Sequence, residues 1–272
     1  MVDQTIYQTF KKGSKTFFTS SLFFPRAVRE DVFIFYAFVR VADDLVDSIP
    51  ARLTDFDLFK KQYAAALAGT VSGNTIIDSF VDLMNRRSIP PEWIDSFLQA
   101  MTSDTEKKTY ETLAELEEYI YGSAEVIGLV MARLMDLPPE SYATAQLLGK
   151  GFQYINFIRD IAEDIQLGRQ YLPLEVLRPF GFELLTEKTA NCKALDFVAL
   201  ITCELARYRA WQAAGEAGFA FIPKRSRLPI KTAADMYRYT ANVIENDPFV
   251  IFRQKVKPSK SKIIWQLFLN TL

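Results

Sequence analysis

Two pairs of aspartates, each spaced by four residues, lie in stretches of the sequence that are otherwise mostly apolar. Asp43 and Asp47 stand in "FYAFVRVADDLVD", and Asp160 and Asp164 stand in "FQYINFIRDIAEDI". In an α-helix a spacing of four returns to nearly the same direction, so the two carboxylates of a pair share a face and repel each other. One isolated pair is typical of a solvated helix face. Two pairs in apolar surroundings need cations to offset their charge, and this requirement constrains how the chain can fold.

Proline and glycine divide the 272 residues into segments of helical length. Apolar residues recur at spacings of three and four in "DFDLFKKQYAAALAG", and "PPEWIDSFLQAM" has proline at a helix start. The sequence shows neither alternating strand patterns with hairpin dipeptides nor a repeat of fixed period. No linker rich in proline, glycine or serine divides it. We therefore predict an all-α fold of roughly eight to ten helices, in a single domain over residues 1–272.

The composition excludes several kinds of chemistry. The sequence has no histidine, which excludes histidine bases, histidine-containing triads and histidine-ligated zinc, so any metal must bind oxygen ligands. A net charge of −1 gives no basic footprint for nucleic acid, and we interpret the one basic stretch, "RQKVKPSKSK", as a solvated loop. The two cysteines, Cys192 and Cys203, lack a metal-binding pattern and fit a reducing compartment.

The second aspartate pair belongs to a polar stripe. At about 100° per residue, one face of its helix carries Gln153, Asn156, Asp160 and Asp164. Carboxylates from two facing helices, without histidine or thiolate, form a hard-oxygen site that suits Mg²⁺ shared with a phosphate-bearing ligand. Arg40 and Arg159 flank the pairs and have the forked geometry that matches phosphate oxygens.

Small residues interrupt a third apolar segment, "YIYGSAEVIGLVMARLM", at Gly122, Ser123, Ala124 and Gly128. Glycine inside a helix costs about 1 kcal/mol relative to alanine unless space is needed. Two explanations stay open at this point. The small residues either let two helices approach closely or border a tunnel for an apolar chain.

Four stretches of the sequence resemble the squalene and phytoene synthases, the head-to-head prenyl diphosphate synthases. They are "SKTF", "FYAFVRVADDLVD", "YETLAELEEYIYGSAEVIGLVM" and "FQYINFIRDIAEDIQLGRQYLP", with a weaker similarity at "AADMYRYTANVIEND". The resemblance implies an isoprenoid-synthase-type helical bundle around a central cavity. It also implies Mg²⁺ ions, with Mn²⁺ as a substitute, that bridge aspartates to the diphosphates of prenyl substrates.

The resemblance also implies roles for individual residues. The predicted metal ligands are Asp43, Asp47, Asp160 and Asp164. The predicted substrate-binding residues are Ser14, Lys15, Arg40, Gln153, Asn156, Arg159, Arg169 and Tyr171, the last two in a loop that closes over the diphosphate. The predicted catalytic residues are Arg40, Tyr121, Arg159 and Tyr237.

The function implied is the joining of two prenyl diphosphates through a cyclopropylcarbinyl diphosphate, most similar to carotenoid-forming phytoene synthase acting on two C20 chains. A C30 squalene or dehydrosqualene synthase, with NADPH required only for squalene, is one alternative. A prenyl diphosphate phosphatase is another. A non-enzymatic helical module and head-to-tail elongation fit the sequence less well. The N-terminus lacks a signal-peptide core and no uncharged run approaches the ~20 residues of a membrane span, so we expect a cytoplasmic protein. Peripheral membrane contact and oligomeric state stay open.

Overall fold

A computed structural model describes residues 2–48 and 50–271. The helices of these residues, numbered in chain order, are α1 (Gln4–Gly13), α2 (Lys15–Ser21), α3 (Arg26–Asp47), α4 (Leu53–Leu67), α5 (Thr75–Arg87), α6 (Pro91–Glu106), α7 (Leu113–Ile120), α8 (Val126–Leu134), α9 (Tyr142–Arg159), α10 (Ile161–Gln166), α11 (Leu174–Leu177), α12 (Glu187–Cys192), α13 (Ala194–Glu216), α14 (Lys224–Asn246), α15 (Val250–Arg253) and α16 (Lys260–Thr271). A π-helical turn, Tyr121–Glu125, joins α7 to α8. Short 3-10 turns cover Pro139–Ser141, Arg178–Phe180 and Ala217–Ala220.

The described residues contain no β-strand and a single isolated bridge, between Thr109 and Gln170. The all-α prediction is confirmed. The described residues form sixteen α-helices, of which nine have ten residues or more, so the predicted eight to ten corresponds to the long helices alone. Bends account for three of the short helices, since α7 and α8 flank the π-helical turn and α10 continues α9 after a break. No helix among residues 2–48 and 50–271 is long and apolar enough to cross a membrane.

Local sequence signals account for several helix ends. The Ser14 hydroxyl accepts a hydrogen bond from the Phe17 N–H at 3.2 Å and caps α2. Thr112 caps α7 in the same way, through the Glu115 N–H. Pro91 occupies the first turn of α6, where a missing N–H costs nothing. These caps fix where the helices that carry the site begin.

Two segments that the sequence predicts as continuous helices are bent. The π-helical turn separates α7 from α8, and a break at Asp160, with φ −99° and ψ 9°, separates α9 from α10. The Asp164 N–H still donates to the Asp160 carbonyl at 2.9 Å, so the two carboxylates stay one turn apart. The bend therefore keeps the spacing of the second pair and turns its helix.

One apolar core joins most of the helices, from Ile6 to Val256. The helix α9 packs along α13 on one side and against α8 and the π-helical turn on another, whereas α3 packs on α1, α5 and α6. The helices α2, α14 and α16 pack together. This arrangement leaves a cavity between the two helices that carry the aspartate pairs.

Candidate active site

A cavity of about 1010 Å³ opens between α2, α3, α6, α8, α9 and α14. This volume is at the upper end of the roughly 300–1000 Å³ of ordinary ligand pockets. Both aspartate pairs contribute to its wall, together with many apolar side chains. The sequence-predicted residues that line it are Ser14, Lys15, Arg40, Asp43, Asp47, Gln153, Asn156, Arg159, Asp160, Asp164, Arg169, Tyr171 and Tyr237. Tyr121 is not among them.

The last turns of α3 carry the first aspartate pair. Arg40 lies one turn before Asp43, and their charged groups are 3.3 Å apart. Arg40 also pairs with Asp44, which is outside the cavity lining. The Nε of Arg40 is buried and has no hydrogen-bond partner among the described residues. It is therefore a free donor beside the cavity.

The second pair stands where α9 meets α10. The Asp160 carboxylate accepts a hydrogen bond from Arg159 Nε at 2.7 Å, and Lys255 Nζ lies 3.3 Å from it. Asp164 follows one turn later and lines the same cavity. Within the second pair, Asp160 is thus the aspartate that contacts cationic side chains.

Arg169 connects the two aspartate motifs. Its Nη1 donates to Asp47 Oδ1 at 2.8 Å, and its backbone N–H donates to the Asp164 carbonyl at 2.8 Å. Its Nε is buried without a partner in the part of the chain that the structure describes. The loop after α10 therefore holds one guanidinium between both pairs, in contact with the first.

Burial and mutual repulsion raise the pKa values of two of these carboxyl groups. Burial, and then the charge of Asp47, raises the pKa of Asp43 to about 7. Burial, and then the charge of Asp160, raises the pKa of Asp164 to about 8. Asp43 keeps 37% of its side chain accessible, toward the cavity that it lines. The arginines nearby offset only part of the negative charge of the site.

The donor set fits a magnesium ion shared with a ligand. Within residues 2–48 and 50–271, no group of three acidic, histidine or cysteine side chains is spaced to hold a metal ion alone. Mg²⁺ in proteins usually binds one or two carboxylates and completes its octahedron with water and phosphate oxygens. Asp43, Asp47, Asp160 and Asp164 supply hard oxygen ligands whose charge the protein does not fully neutralise. These four residues could hold the ion.

The raised pKa values predict that the metal-free protein becomes less stable as the pH rises. Asp43 and Asp164 bind a proton more tightly in the folded state than in the unfolded chain, where the pKa is 3.8. Their contribution is complete below that value and is lost as the pH rises through about 7 and about 8. We expect the melting temperature in EDTA to fall between roughly pH 4 and pH 8 and to level off above that range.

The matched control for this pH series is the double variant Asp43→Asn, Asp164→Asn, which cannot ionise at either position. Its melting temperature should change much less over the same range. A wild-type curve parallel to that of the variant would show that other groups determine the pH dependence.

Comparison with known proteins identifies the family. The family model for squalene/phytoene synthase matches residues 10–262, nearly the whole chain. This chain belongs to the squalene/phytoene synthase family. It is 27% identical to a 15-cis-phytoene synthase of Paracoccus sp., over 94% of this chain and 86% of the relative. It is 31% identical to a 15-cis-phytoene synthase of Enterobacter agglomerans, over 83% of this chain and 80% of the relative.

Solved structures of the same family share its fold. A dehydrosqualene synthase crystallised with a ligand superposes with a TM-score of 0.87 and 25% identity, over 98% of this chain and 94% of the other. A squalene synthase from Alicyclobacillus acidocaldarius gives a TM-score of 0.78 at 23% identity, over 90% and 93% of the two chains. The predicted isoprenoid-synthase-type bundle is confirmed.

Asp104 belongs to the site of this squalene/phytoene synthase family member although it was not predicted from the sequence. This residue of α6 lines the cavity and accepts hydrogen bonds from the hydroxyls of Tyr119, at 2.6 Å, and Tyr171, at 2.8 Å. Burial raises its pKa to about 6, partly offset by the two tyrosine hydroxyls. A signal was present, because Asp104 continues the apolar spacing of Phe97 and Met101 along α6.

The catalytic role predicted for Tyr121 needs correction. Tyr121 is 37% exposed and lies outside the cavity lining, whereas Tyr119 is buried and lines the cavity. Two residues turn a helix by about 200°, so only one of these tyrosines can face the site. The pattern of the segment did not distinguish them, and the structure favours Tyr119.

The structure gives Tyr171 a packed position. Its ring stacks on Phe157 with centroids 4.3 Å apart, and its hydroxyl is bound by Asp104. The residue is buried, with 8% exposure, so it forms cavity wall and supports Asp104. Of the two residues predicted to lie in a loop over the diphosphate, only Arg169 contacts an aspartate of the two pairs.

The basic stretch near residue 255 is not the solvated loop that the sequence suggested. Lys255 pairs with Asp160 and Glu163, and Lys255 and Lys257 both line the cavity. Burial, and then the charge of Lys255, lowers the pKa of Lys257. The stretch approaches the second aspartate pair only through the fold, so no local pattern could reveal its position.

Aromatic and amide side chains complete the wall beside α14. The ring of Tyr237 stacks on Phe152 at 4.4 Å and lies 6.1 Å from Phe17. Asn156 Oδ1 is buried without a hydrogen-bond partner among the described residues. Polar acceptor and aromatic surface therefore meet at this side of the cavity.

The small residues of the π-helical turn and α8 serve close helix packing, the first of the two explanations. A Cβ added at Gly122 would lie 2.5 Å from the Ser96 carbonyl oxygen, and one at Gly128 would lie 2.2 Å from that of Ala145. Ser123, Ala124 and Gly128 also line the cavity. Close packing and cavity wall thus coexist in this segment.

Proposed function

We propose that this protein joins two C20 prenyl diphosphates head-to-head and forms phytoene through a cyclopropylcarbinyl diphosphate. The observation that carries the proposal is the meeting of two aspartate pairs, with their arginines, at one cavity whose remaining wall is largely apolar. The phytoene synthases among its relatives support the C20 substrate. The dehydrosqualene synthase fold neighbour favours the C15 substrate as the second candidate.

The diphosphate groups bind at the charged side of the cavity in this proposal. Arg40 Nε and Arg169 Nε are buried donors without partners in the described residues, so they can donate to phosphate oxygens at no cost in existing hydrogen bonds. Mg²⁺, held by Asp43, Asp47, Asp160 and Asp164, would neutralise charge on the leaving diphosphate. The positions of the four aspartates would thus determine where Mg²⁺, and with it the leaving diphosphate, binds.

The apolar wall orients the prenyl chains and excludes water. When the allylic C1–O bond of one substrate breaks, the cation is attacked by the double bond of the second before water can capture it. The stacked rings of Phe152 and Tyr237, and of Phe157 and Tyr171, present aromatic surface to the cavity. Aromatic faces attract cations, by about 0.5–2 kcal/mol each.

A chain without histidine suits this reaction. The proton released when the cyclopropane closes, and the proton released when the 1,1′-linked product forms, can pass to the departing diphosphate. The side chains therefore need to hold and neutralise diphosphate rather than act as strong bases.

We expect Ala124→Phe to penalise the C20 substrate more than the C15 substrate. Ala124 lines the cavity, and a bulky ring there leaves less room for the last isoprene unit. Overpacking costs roughly 1–3 kcal/mol, which corresponds to about 5- to 150-fold in relative kcat/KM. Competition between the two substrates measures this discrimination.

Gly128→Leu is the matched comparison for Ala124→Phe. Because a Cβ at Gly128 would meet the Ala145 backbone, this change should lower the melting temperature and reduce activity on both substrates alike. If Ala124→Phe behaves in the same way, the end of the prenyl chain lies elsewhere in the cavity.

The function is tested by incubating the pure protein with Mg²⁺ and C15 or C20 prenyl diphosphate, with and without NADPH, followed by mass analysis. The proposal expects a C40 hydrocarbon from the C20 substrate without NADPH. A C30 hydrocarbon formed in preference would favour dehydrosqualene, or squalene if NADPH is required. Prenyl alcohol as the only product would indicate a phosphatase.

A further inference from the structure

The outer side of α16 is apolar and exposed. Ile263 and Leu267 are buried against α14, whereas Ile264, Trp265, Phe268 and Leu269 are 42–59% exposed on the opposite side. We call these four exposed residues the α16 face. A broad apolar side of a helix is normally covered by protein or lipid. The α16 face therefore lacks its cover in the isolated chain.

Positive charge stands at the first turn of α16, and Asp235, the carboxylate that accepts hydrogen bonds from Gln266 and Asn270 of α16, is paired with Arg238. No aspartate or glutamate follows Asp247 in the sequence, whereas Lys260 and Lys262 stand in the first turn of α16. Neither lysine has a carboxylate within ion-pair distance among residues 2–48 and 50–271. Lys262 lies over the ring of Tyr239, with Nζ 5.2 Å from the centroid. The partner that covers this face should therefore be apolar with an anionic border.

The α16 face adjoins the cavity. Lys260, at the start of α16, lines the cavity, and α2 and α14, on which α16 packs, form cavity wall. A second exposed apolar pair, Leu22 and Phe23, follows directly after α2. Apolar molecules that leave a partner at this face are thus close to elements that line the cavity.

We propose that the α16 face docks on the surface of an anionic lipid bilayer. Tryptophan and phenylalanine in the interface, with lysines at the phosphate level, are typical of helices that lie in a bilayer surface. A second copy of the chain fits less well. Twelve residues span about 18 Å, and a strip about 10 Å wide offers roughly 200 Å², against about 800 Å² per partner in a stable interface.

The proposal goes beyond the proposed function, because binding to vesicles needs no substrate. It adds a route for prenyl diphosphates to enter from the bilayer and for a hydrocarbon product to return to it. The two claims fail separately: vesicle binding can be absent in an active enzyme, and present in one that forms another product.

The test is flotation of the full chain with phosphatidylcholine vesicles that either contain about 30% phosphatidylglycerol, the anionic lipid, or lack it. The two kinds of vesicle then differ in their surface charge. We expect binding to the anionic vesicles that weakens at high salt. Trp265→Glu with Phe268→Glu should reduce it at least tenfold, and Lys262→Gln should reduce it only on anionic vesicles. The control Leu195→Glu changes an 87% exposed apolar residue on α13 and should bind as the wild type does.

Melting temperatures and enzyme activity in detergent verify that the α16 variants stay folded. Equal vesicle binding by the wild type and the Trp265→Glu, Phe268→Glu variant would overturn the proposal. A second result would also overturn it: the wild type forms a concentration-dependent dimer in sedimentation velocity, the variant does not, and neither binds vesicles. A second copy of the chain would then cover the face.

Discussion

Replacing Asp43 or Asp160 with alanine is expected to lower kcat/KM by on the order of 10²–10³-fold or more, with the helical circular-dichroism spectrum unchanged. Each change removes one of the proposed oxygen ligands of Mg²⁺, and neutralisation of the leaving diphosphate should weaken as a result. Asp43→Ala should leave the melting temperature equal or slightly higher above pH 7, since it removes a buried carboxylate with a raised pKa. Asp160→Ala should lower it slightly, because Arg159 and Lys255 lose a partner.

The matched control for the aspartate variants is Asp44→Ala, in the same turn of α3. Asp44 pairs with Arg40 but lies outside the cavity lining, so its loss should reduce activity less than tenfold. Activity retained per folded molecule in Asp43→Ala or Asp160→Ala, combined with a large drop in melting temperature, would show that the pairs are structural.

Mg²⁺ and inorganic diphosphate together should raise the melting temperature by about 5–10 °C, whereas either alone should have little effect. A ligand at a hundred times its Kd stabilises the folded state by about 2.7 kcal/mol, and each kcal/mol corresponds to roughly 2–4 °C in a chain of this size. The two components depend on each other because each supplies coordination partners that the other lacks. Differential scanning fluorimetry measures the effect.

The variant Asp43→Asn, Asp164→Asn is the control for this joint stabilisation and should lose the metal-dependent part. Equal stabilisation by diphosphate with EDTA present would mean that Arg40, Arg169 and the lysines bind the anion without a metal.

The helical fold and the position of the aspartate pairs could be predicted from the sequence because both depend on local spacing. A separation of four residues survives the bend at Asp160, since the Asp164 N–H still bonds to the Asp160 carbonyl. Arg40 and Arg159 could be predicted for the same reason, because each lies within one turn of an aspartate of its pair. Local periodicity is therefore sufficient for residues that share a helix with the motif.

The remaining site residues depend on contacts that spacing does not encode. Lys255 reaches Asp160 from a loop 95 positions later, and its stretch reads as an ordinary basic loop. The choice between Tyr119 and Tyr121 depends on the phase of α7 as it enters the π-helical turn. Asp104 was the exception, because a carboxylate within the apolar stripe of α6 was visible in the sequence.

The central claim is that two prenyl diphosphates are joined between their C1 atoms in this cavity. The most direct measurement uses C20 prenyl diphosphate labelled with ¹³C at C1, Mg²⁺ and the pure protein, with carbon NMR of the extracted hydrocarbon. The account predicts a C40 product with one enriched resonance from two equivalent carbons, and the proton-coupled spectrum of that resonance should show the one-bond ¹³C–¹³C coupling of two labelled carbons that are bonded to each other. A labelled prenyl alcohol without such coupling, or a product whose labelled carbons are separated as in head-to-tail joining, would contradict it.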